Sequence, residues 1–202
     1  MPKIILVSPH HSEDIKTKAH LSIMGQMAIY CYDYIYPESR SESLAIIRNG
    51  LVEVAFKKHP DLTHLLWLDG DEIFPGNMTQ RLLDHDKDIV AAWTVIRQDK
   101  KPNIYKVLYQ NKRGGYKHKA YSLKEINKFI SENQPLQKVD RFGFGSVLIK
   151  REVFEKMSAP WFAFDEHHDT EDLYFCDKAR EAGYDLWVDF SLRCLHISLA
   201  YL

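Results

Sequence analysis

Short apolar runs that recur between helix-spaced segments constrain this chain more than any other feature. "KIILVS" (3–8), "LLWL" (65–68) and "DIVAAWTV" (88–95) are apolar at consecutive positions. Further runs lie at 144–150, after Gly183, and in "RCLHIS" (193–198). A strand apolar on both sides is covered on both sides, as in parallel sheets sandwiched by helices. "CYDYIYP" (31–37) adds an aromatic, alternating strand. Between the strands, residues 17–30 place Leu21, Met24, Met27 and Ala28 at helical spacing. A second helix is expected after a capping box of Ser39 and Glu42, burying Leu44, Ile47, Leu51, Val54 and Ala55 before Pro60. A third runs from about Glu171 to Ala182 and ends at Gly183. The expected fold class is α/β, a mostly parallel sheet with helices on both faces.

The 202 residues fit one domain spanning 1–202, with a basic flap or hairpin inserted at about 97–138. A formal net charge of -1 predicts no general attraction to nucleic acid or to an anionic membrane. The three cysteines, Cys31, Cys176 and Cys194, are far apart and form no CxxC pair, which suits a reducing compartment. "MPKIILVSPHHSED" is too short an apolar stretch for a signal peptide, and no run reaches the ~18 residues of a membrane span. A cytoplasmic protein without an integral membrane segment is expected.

The run "HLLWLDGDEIFPGN" (64–77) ends a buried strand in Asp69 and Asp71, followed at once by Glu72. Carboxylates this close repel one another. A solvated acidic turn would tolerate them, and a divalent cation with hard oxygen ligands would resolve the repulsion. In doubly covered sheets, ligands sit beyond the carboxyl ends of strands, where these acids fall.

Eight Lys or Arg residues and a single acid lie between Arg97 and Lys119, with Gly114 and Gly115 as a hairpin turn. The run reads either as a solvated face or as a flap that meets phosphates. In "HHDTEDLYFCDKAREAG", Thr170 is placed to cap the last helix, with Glu171 and Asp172 in its first turn. Acids there complement the helix dipole whether or not they have another task. His196 sits among apolar neighbours, as a core residue or as a ligand.

Taken in order, these segments resemble the nucleotide-diphospho-sugar glycosyltransferases of the GT-A fold, especially small family-2-like members. The resemblance rests on "IIRNGLVEVAF", "HLLWLDGDEIFPGN", "DIVAAWTVIR", "RFGFGSVLIKREVF", "PWF", "TEDLYFCDKAREAGYDLWVD" and "RCLHIS". It implies metal-dependent transfer of a sugar from a nucleotide-diphosphate sugar, uridine preferred over guanosine, to a glycan or other hydroxyl acceptor.

The same resemblance implies roles. Asp71 would hold Mn2+ or Mg2+, Asp69 would touch the ribose or metal-bound water, and His196 would add a further ligand. Asp172 would be the general base of an inverting reaction, with Glu171 orienting it. Gly143, Phe144 and Gly145 match the segment that lets backbone approach the donor sugar. Ser8, Pro9 and His10 match the loop packed on the nucleobase. Arg48 matches an arginine near the nucleotide, or is a solvated helix residue. Trp161 and Phe162 are an acceptor platform or part of the core.

Two other readings compete. Aspartate-nucleophile phosphohydrolases also end a strand in D-x-D, but on their first strand. A degenerate nucleotide- or glycan-binding module would keep the fold without the chemistry. Oligomeric state is not legible in the sequence.

Overall fold

The computed structural model describes residues 2–9, 17–37, 42–96, 100–110, 115–168 and 170–197. The expectations placed on His10, Ser39, Arg97 and Gly114 lie outside them.

The first half builds the β-α-β frame. Strand β1 (Ile4–Val7) is followed by helix α1 (Thr17–Tyr30), strand β2 (Asp33–Ile35), helix α2 (Leu44–Lys58) and strand β3 (His64–Leu68). Next come β4 (Glu72–Ile73), α3 (Met78–Asp84) and β5 (Ile89–Trp93). The basic region folds as β6 (Ile104–Gln110) and β7 (Tyr116–Ala120) and leads to α4 (Leu123–Ser131), β8 (Leu136–Val139) and β9 (Arg141–Phe142). The chain closes with β10 (Ser146–Lys150), α5 (Arg151–Lys156), α6 (Glu171–Glu181), β11 (Leu186–Arg193) and β12 (Leu195–His196).

The seven-stranded sheet has the order β2-β1-β3-β10-β5-β11-β8. β2, β1, β3, β5 and β11 run one way, while β10 and β8 oppose them. Period-two alternation divides the buried strands between two cores. Ile5, Val7, Leu65, Trp67, Ala91 and Val147 share a cluster with α2, α4, α5 and α6 residues. Ile4, Leu6, Leu66, Leu68, Val90 and Leu148 pack with Ile23 of α1 and with Met78 and Leu82 of α3. Helices therefore cover both faces, as the apolar runs require.

Several local expectations change. α1 buries Ala19, Ile23 and Gln26, while Leu21 is 66% exposed. α2 takes Ser43 as its N-cap position, without a side-chain cap bond. Val54 on that helix is 48% exposed instead of buried. α4 begins at a capping box of Ser122 and Glu125, which "SLKE" spells out in the sequence. The hairpin of β6 and β7 joins β9 in a separate three-stranded sheet, and so leads straight into Gly143. Among the described residues, no helix is long and apolar enough to cross a membrane.

Candidate functional site

The acids at the end of β3 are fixed from three directions. β10 runs antiparallel to β3 with Ser146 opposite Leu68, and the Asp69 N–H donates to the Gly145 carbonyl at 2.9 Å. The Ser8 hydroxyl, fully buried at the end of β1, donates to the Leu68 carbonyl. From α1, Ser22 Oγ accepts from the Phe74 N–H at 2.8 Å, and Gln26 holds Pro75 and Thr79. The loop after β3 is thus pinned to both of its neighbours.

Chain topology then delivers His196. β12 pairs antiparallel with β4, His196 opposite Glu72, and the Ile197 N–H donates to the Asp71 carbonyl at 2.8 Å. This register sets His196 Nε2 3.5 Å from Asp71 Oδ2. Oxygen and nitrogen donors side by side suit a divalent first-row ion, while magnesium would rest on the Asp71 oxygens alone. Among the described residues, no three His, Cys, Asp or Glu side chains converge as an enclosing metal cage. A pair fits an ion that completes its shell with phosphate oxygens and water, as magnesium does at phosphate sites.

α6 brings the second acidic pair. Thr170 occupies the N-cap position, but its hydroxyl donates to Asp172 Oδ1 and makes no cap bond. Asp172 Oδ1 also accepts from the Leu173 N–H at 2.8 Å. Its Oδ2 turns toward Gly143, where an added Cβ would stand 3.4 Å away. Burial, and then the negative charge of Glu171, raise the Asp172 carboxyl above the usual carboxylate range. Glu171 itself is buried.

Arg48 connects the two acidic groups. Its side chain is 3% exposed, with Nε donating to Glu171 Oε1 at 3.1 Å and Nη2 to Asp69 Oδ1 at 3.4 Å. Three rings enclose its guanidinium, those of Trp67, Phe144 and Phe162, at 5.4, 5.2 and 5.8 Å. The solvated-arginine reading is thereby corrected: Arg48 is a buried cation under the acids. Burial pushes the Asp69 carboxyl up to about 7 against the pull of Arg48, and the charges of Asp71, Glu171 and Asp172 add to the rise. Through Arg48, which bonds both Asp69 and Glu171, acids from distant parts of the chain share one neighbourhood.

The two glycines are also required by their neighbours in the fold. A Cβ on Gly145 would overlap the carboxylate of Glu72, which is 2% exposed behind the acidic turn. A Cβ on Gly143 would come 2.9 Å from Asn103 Nδ2. Asn103, which sequence reasoning passed over, receives the Gly143 N–H on its carbonyl at 2.8 Å and holds Thr94 with its side chain. Nothing about an isolated asparagine in a basic stretch signals this task.

Phe144 and Phe162 are 2% and 1% exposed, and with Phe175 they form an aromatic core. Phe162 is therefore no acceptor platform. Trp161 is half-buried, and its indole N–H donates to the carbonyls of Phe154 and Met157 at 2.9 Å. Its buried part packs against the same core. Pro9 is buried beside Ser8.

A second buried ion pair supports α6 from behind. Arg141, 1% exposed, forks onto both carboxylate oxygens of Asp177. His168 spans Asp165 at 2.7 Å and Asp177 at 3.0 Å, tying the loop before α6 to the helix. These side chains hold the element that carries Glu171 and Asp172.

The sheet, its two helical faces and the acidic edge together define an α/β fold of the GT-A type. A197 from STIV is similar over 97% of this chain and 86% of that one, with 17% identity and a TM-score of 0.67. GalNAc-T7, solved with UDP, GalNAc and Mn2+, is similar over 98% of this chain, with 14% identity and a TM-score of 0.58. This chain spans 44% of the length of GalNAc-T7. At these identities the likeness is one of fold. No family profile matches the sequence, and no curated protein matches it.

Proposed function

We propose that this chain is a glycosyltransferase that takes a sugar from a nucleotide-diphosphate donor, aided by Mn2+ or Mg2+, and transfers it to a hydroxyl with inversion. The observation that carries the reading is the convergence of Asp69, Asp71, Glu171 and Asp172 at one sheet edge, with the buried Arg48 beneath them. The GalNAc-T7 structure, which holds UDP and Mn2+, supports a donor and ion of this kind.

Asp71 and His196 are the residues that would hold the ion, which supplies charge stabilisation for the departing diphosphate. Asp69 orients the ribose side of the donor, and Arg48 keeps Asp69 and Glu171 in place. Asp172 Oδ2 accepts the proton of the acceptor hydroxyl. The hydroxyl oxygen forms a bond to the anomeric carbon as the bond to the diphosphate oxygen breaks. A raised carboxyl is a stronger base than an ordinary one, which favours that proton transfer. Gly143 leaves Asp172 Oδ2 approachable on the side where a larger residue would cover it. Ser8, with its hydroxyl on the Leu68 carbonyl, and Pro9 beside it brace the ends of β1 and β3 from beneath the donor side and do not touch the nucleobase themselves.

A thermal-shift screen of UDP- and GDP-sugars with and without manganese tests this reading, because a ligand of the folded state raises Tm by mass action. The expected result is a manganese-dependent shift with a UDP-sugar. Nucleotide release that needs an added acceptor then separates transfer from hydrolysis. No shift with any sugar nucleotide would refute the proposal.

A further inference from the structure

We infer that Asp189 is a positioning residue for His196, on the reading that His196 and Asp71 hold the metal ion. β11 reads "LWVDFSLR", and the acid in its middle is fully buried. A carboxylate inside a sheet is costly unless its oxygens are engaged. Oδ1 of Asp189 accepts from the Ser191 N–H at 2.9 Å and from the Ser191 hydroxyl. Oδ2 accepts from Arg81 Nη2 and from His85 Nε2, each at 2.9 Å. Arg81 lies in the last turn of α3 and His85 is its C-cap. Burial alone would raise this carboxyl, but the Ser191 and His85 bonds and the Arg81 charge hold it below the ordinary range.

The bonds to Ser191 close a bulge. From Val188 to Arg193, β11 spends five positions where β5, from Ala91 to Trp93, spends two. Three residues are therefore in excess. A bulge beside a site re-aims the side chains that follow it. Past this one, the Cys194 N–H donates to the Trp93 carbonyl at 2.7 Å, and β12 reaches β4 with His196 opposite Glu72. A strand without the excess would bring Arg193 to the place that His196 holds. A guanidinium has no lone pair to offer a metal ion.

The bonds to α3 fix the opposing strand. α3 begins at Met78, soon after β4 ends at Ile73, and Cys194 Sγ lies 3.8 Å from Met78 Sδ. Arg81 Nη2 also donates to Ser191 Oγ at 2.7 Å, which joins the helix to the bulge directly. One carboxylate thus holds both strands of the small sheet, β12 through the bulge and β4 through the helix that follows it. Asp189 acts on His196 through backbone register, and that register sets the spacing of Asp71 and His196.

The test is amide hydrogen exchange of the metal-free full chain, followed by manganese titration of its histidine ring signals by NMR. The Ile197 N–H, bonded to the Asp71 carbonyl, reports the pairing of β12 with β4 without any ligand. Asp189→Asn should speed its exchange about tenfold or more through local opening, while Leu66 at the sheet centre stays protected. Arg81→Gln, at a side chain 36% exposed, should act in the same direction and decides the matter if Asp189→Asn does not fold. Arg81→Lys keeps a cation in reach and should stay near wild type. Manganese affinity read at His196 should fall about tenfold in the loosened variants, the low end for residues that orient metal ligands. Unchanged Ile197 exchange overturns the proposal, and so does equal acceleration at Leu66, which would make Asp189 a general support of the core. Normal manganese affinity in a variant with loosened Ile197 overturns it as well. A wild-type His196 that ignores manganese refutes the metal reading instead; Ile197 protection lost in both variants would then still uphold Asp189 as the residue that places His196.

Discussion

Arg48 Nε donates to Glu171 Oε1 across 3.1 Å, although 123 positions separate them in the chain. Both side chains are nearly solvent-free, at 3% and 6% exposure. Removing one partner strands the other charge in the interior, which costs about 3–5 kcal/mol, more than the pair contributes over an apolar replacement. Arg48→Met should therefore lower unfolding stability by that order in urea titrations. Arg48→Met with Glu171→Met should regain much of the loss. Equal losses for the single and double variants would show that the pair is not the stabilising contact.

This relationship also marks the limit of what the sequence discloses. The apolar runs around "IILV", "LLWL" and "IVAAW" announce the strands, because a strand covered on both faces has no polar alternative. "SLKE" announces α4 through its capping chemistry. Arg48 carries no such mark: on a helix with Lys57, Lys58 and Glu53, a buried arginine looks like any solvated one. The same holds for Arg141 and Asp177, whose fork joins residues 36 positions apart. Phe162 was ambiguous for the opposite reason, since an aromatic ring serves a sugar face or a core equally well until its neighbours are known.

The Asp71 and His196 pair predicts how metal dependence is built. Asp71→Ala and His196→Ala each remove one donor atom set at the acidic edge, where the two stand 3.5 Å apart. Backbone pairing of β12 with β4 does not need either side chain, so the fold should persist. Each variant should weaken manganese-dependent donor binding by about tenfold or more, equivalent to at least ~1.4 kcal/mol. Calorimetry with and without manganese measures this. Unchanged metal dependence in both variants would remove the pair from the site.

Gly145 is bound by steric space and not by conformation. Gly145→Ala drives a methyl into the Glu72 carboxylate and should cost about 1–3 kcal/mol, the range for overpacked interiors. Shortening the obstacle with Glu72→Ala should recover part of that loss. Gly25→Ala in α1, where an added Cβ meets nothing, should instead stabilise by up to about 1 kcal/mol through helix propensity. Thermal unfolding of the three variants distinguishes crowding from a general intolerance of substitution.

Glu125 sets a pH signature for the hairpin and α4. The Lys106 ammonium at 2.7 Å, together with the N–H and hydroxyl of Ser122, holds its carboxyl down to about 2 from the ordinary 4.5. A depressed carboxyl contributes stability above its unfolded value and loses it as pH falls through the folded one. The contribution is therefore complete above pH 4.5 and fades between 4.5 and about 2. Glu125→Gln should lower Tm at neutral pH by a small amount, since the side chain is 37% exposed and solvent screens the pair. The difference from wild type should shrink on acidification through that window. A gap that widens instead would contradict the assignment.

Asp172 offers the sharpest test of the proposed chemistry. Its Oδ1 is occupied by the Thr170 hydroxyl and the Leu173 N–H, which fix the carboxylate plane and leave Oδ2 toward Gly143. Asp172→Asn keeps that shape: an amide oxygen in the Oδ1 position still accepts from both partners. It cannot take a proton from a hydroxyl. Loss of a general base costs about 100- to 10,000-fold in rate. Donor affinity should stay within a few-fold, because the base acts on the acceptor and not on the nucleotide. Steady-state turnover with a working acceptor, beside calorimetric donor binding for the same variant, separates the two effects. Near-normal turnover would remove Asp172 from the base role. A parallel loss of turnover and donor binding would make it a structural acid that orders the start of α6.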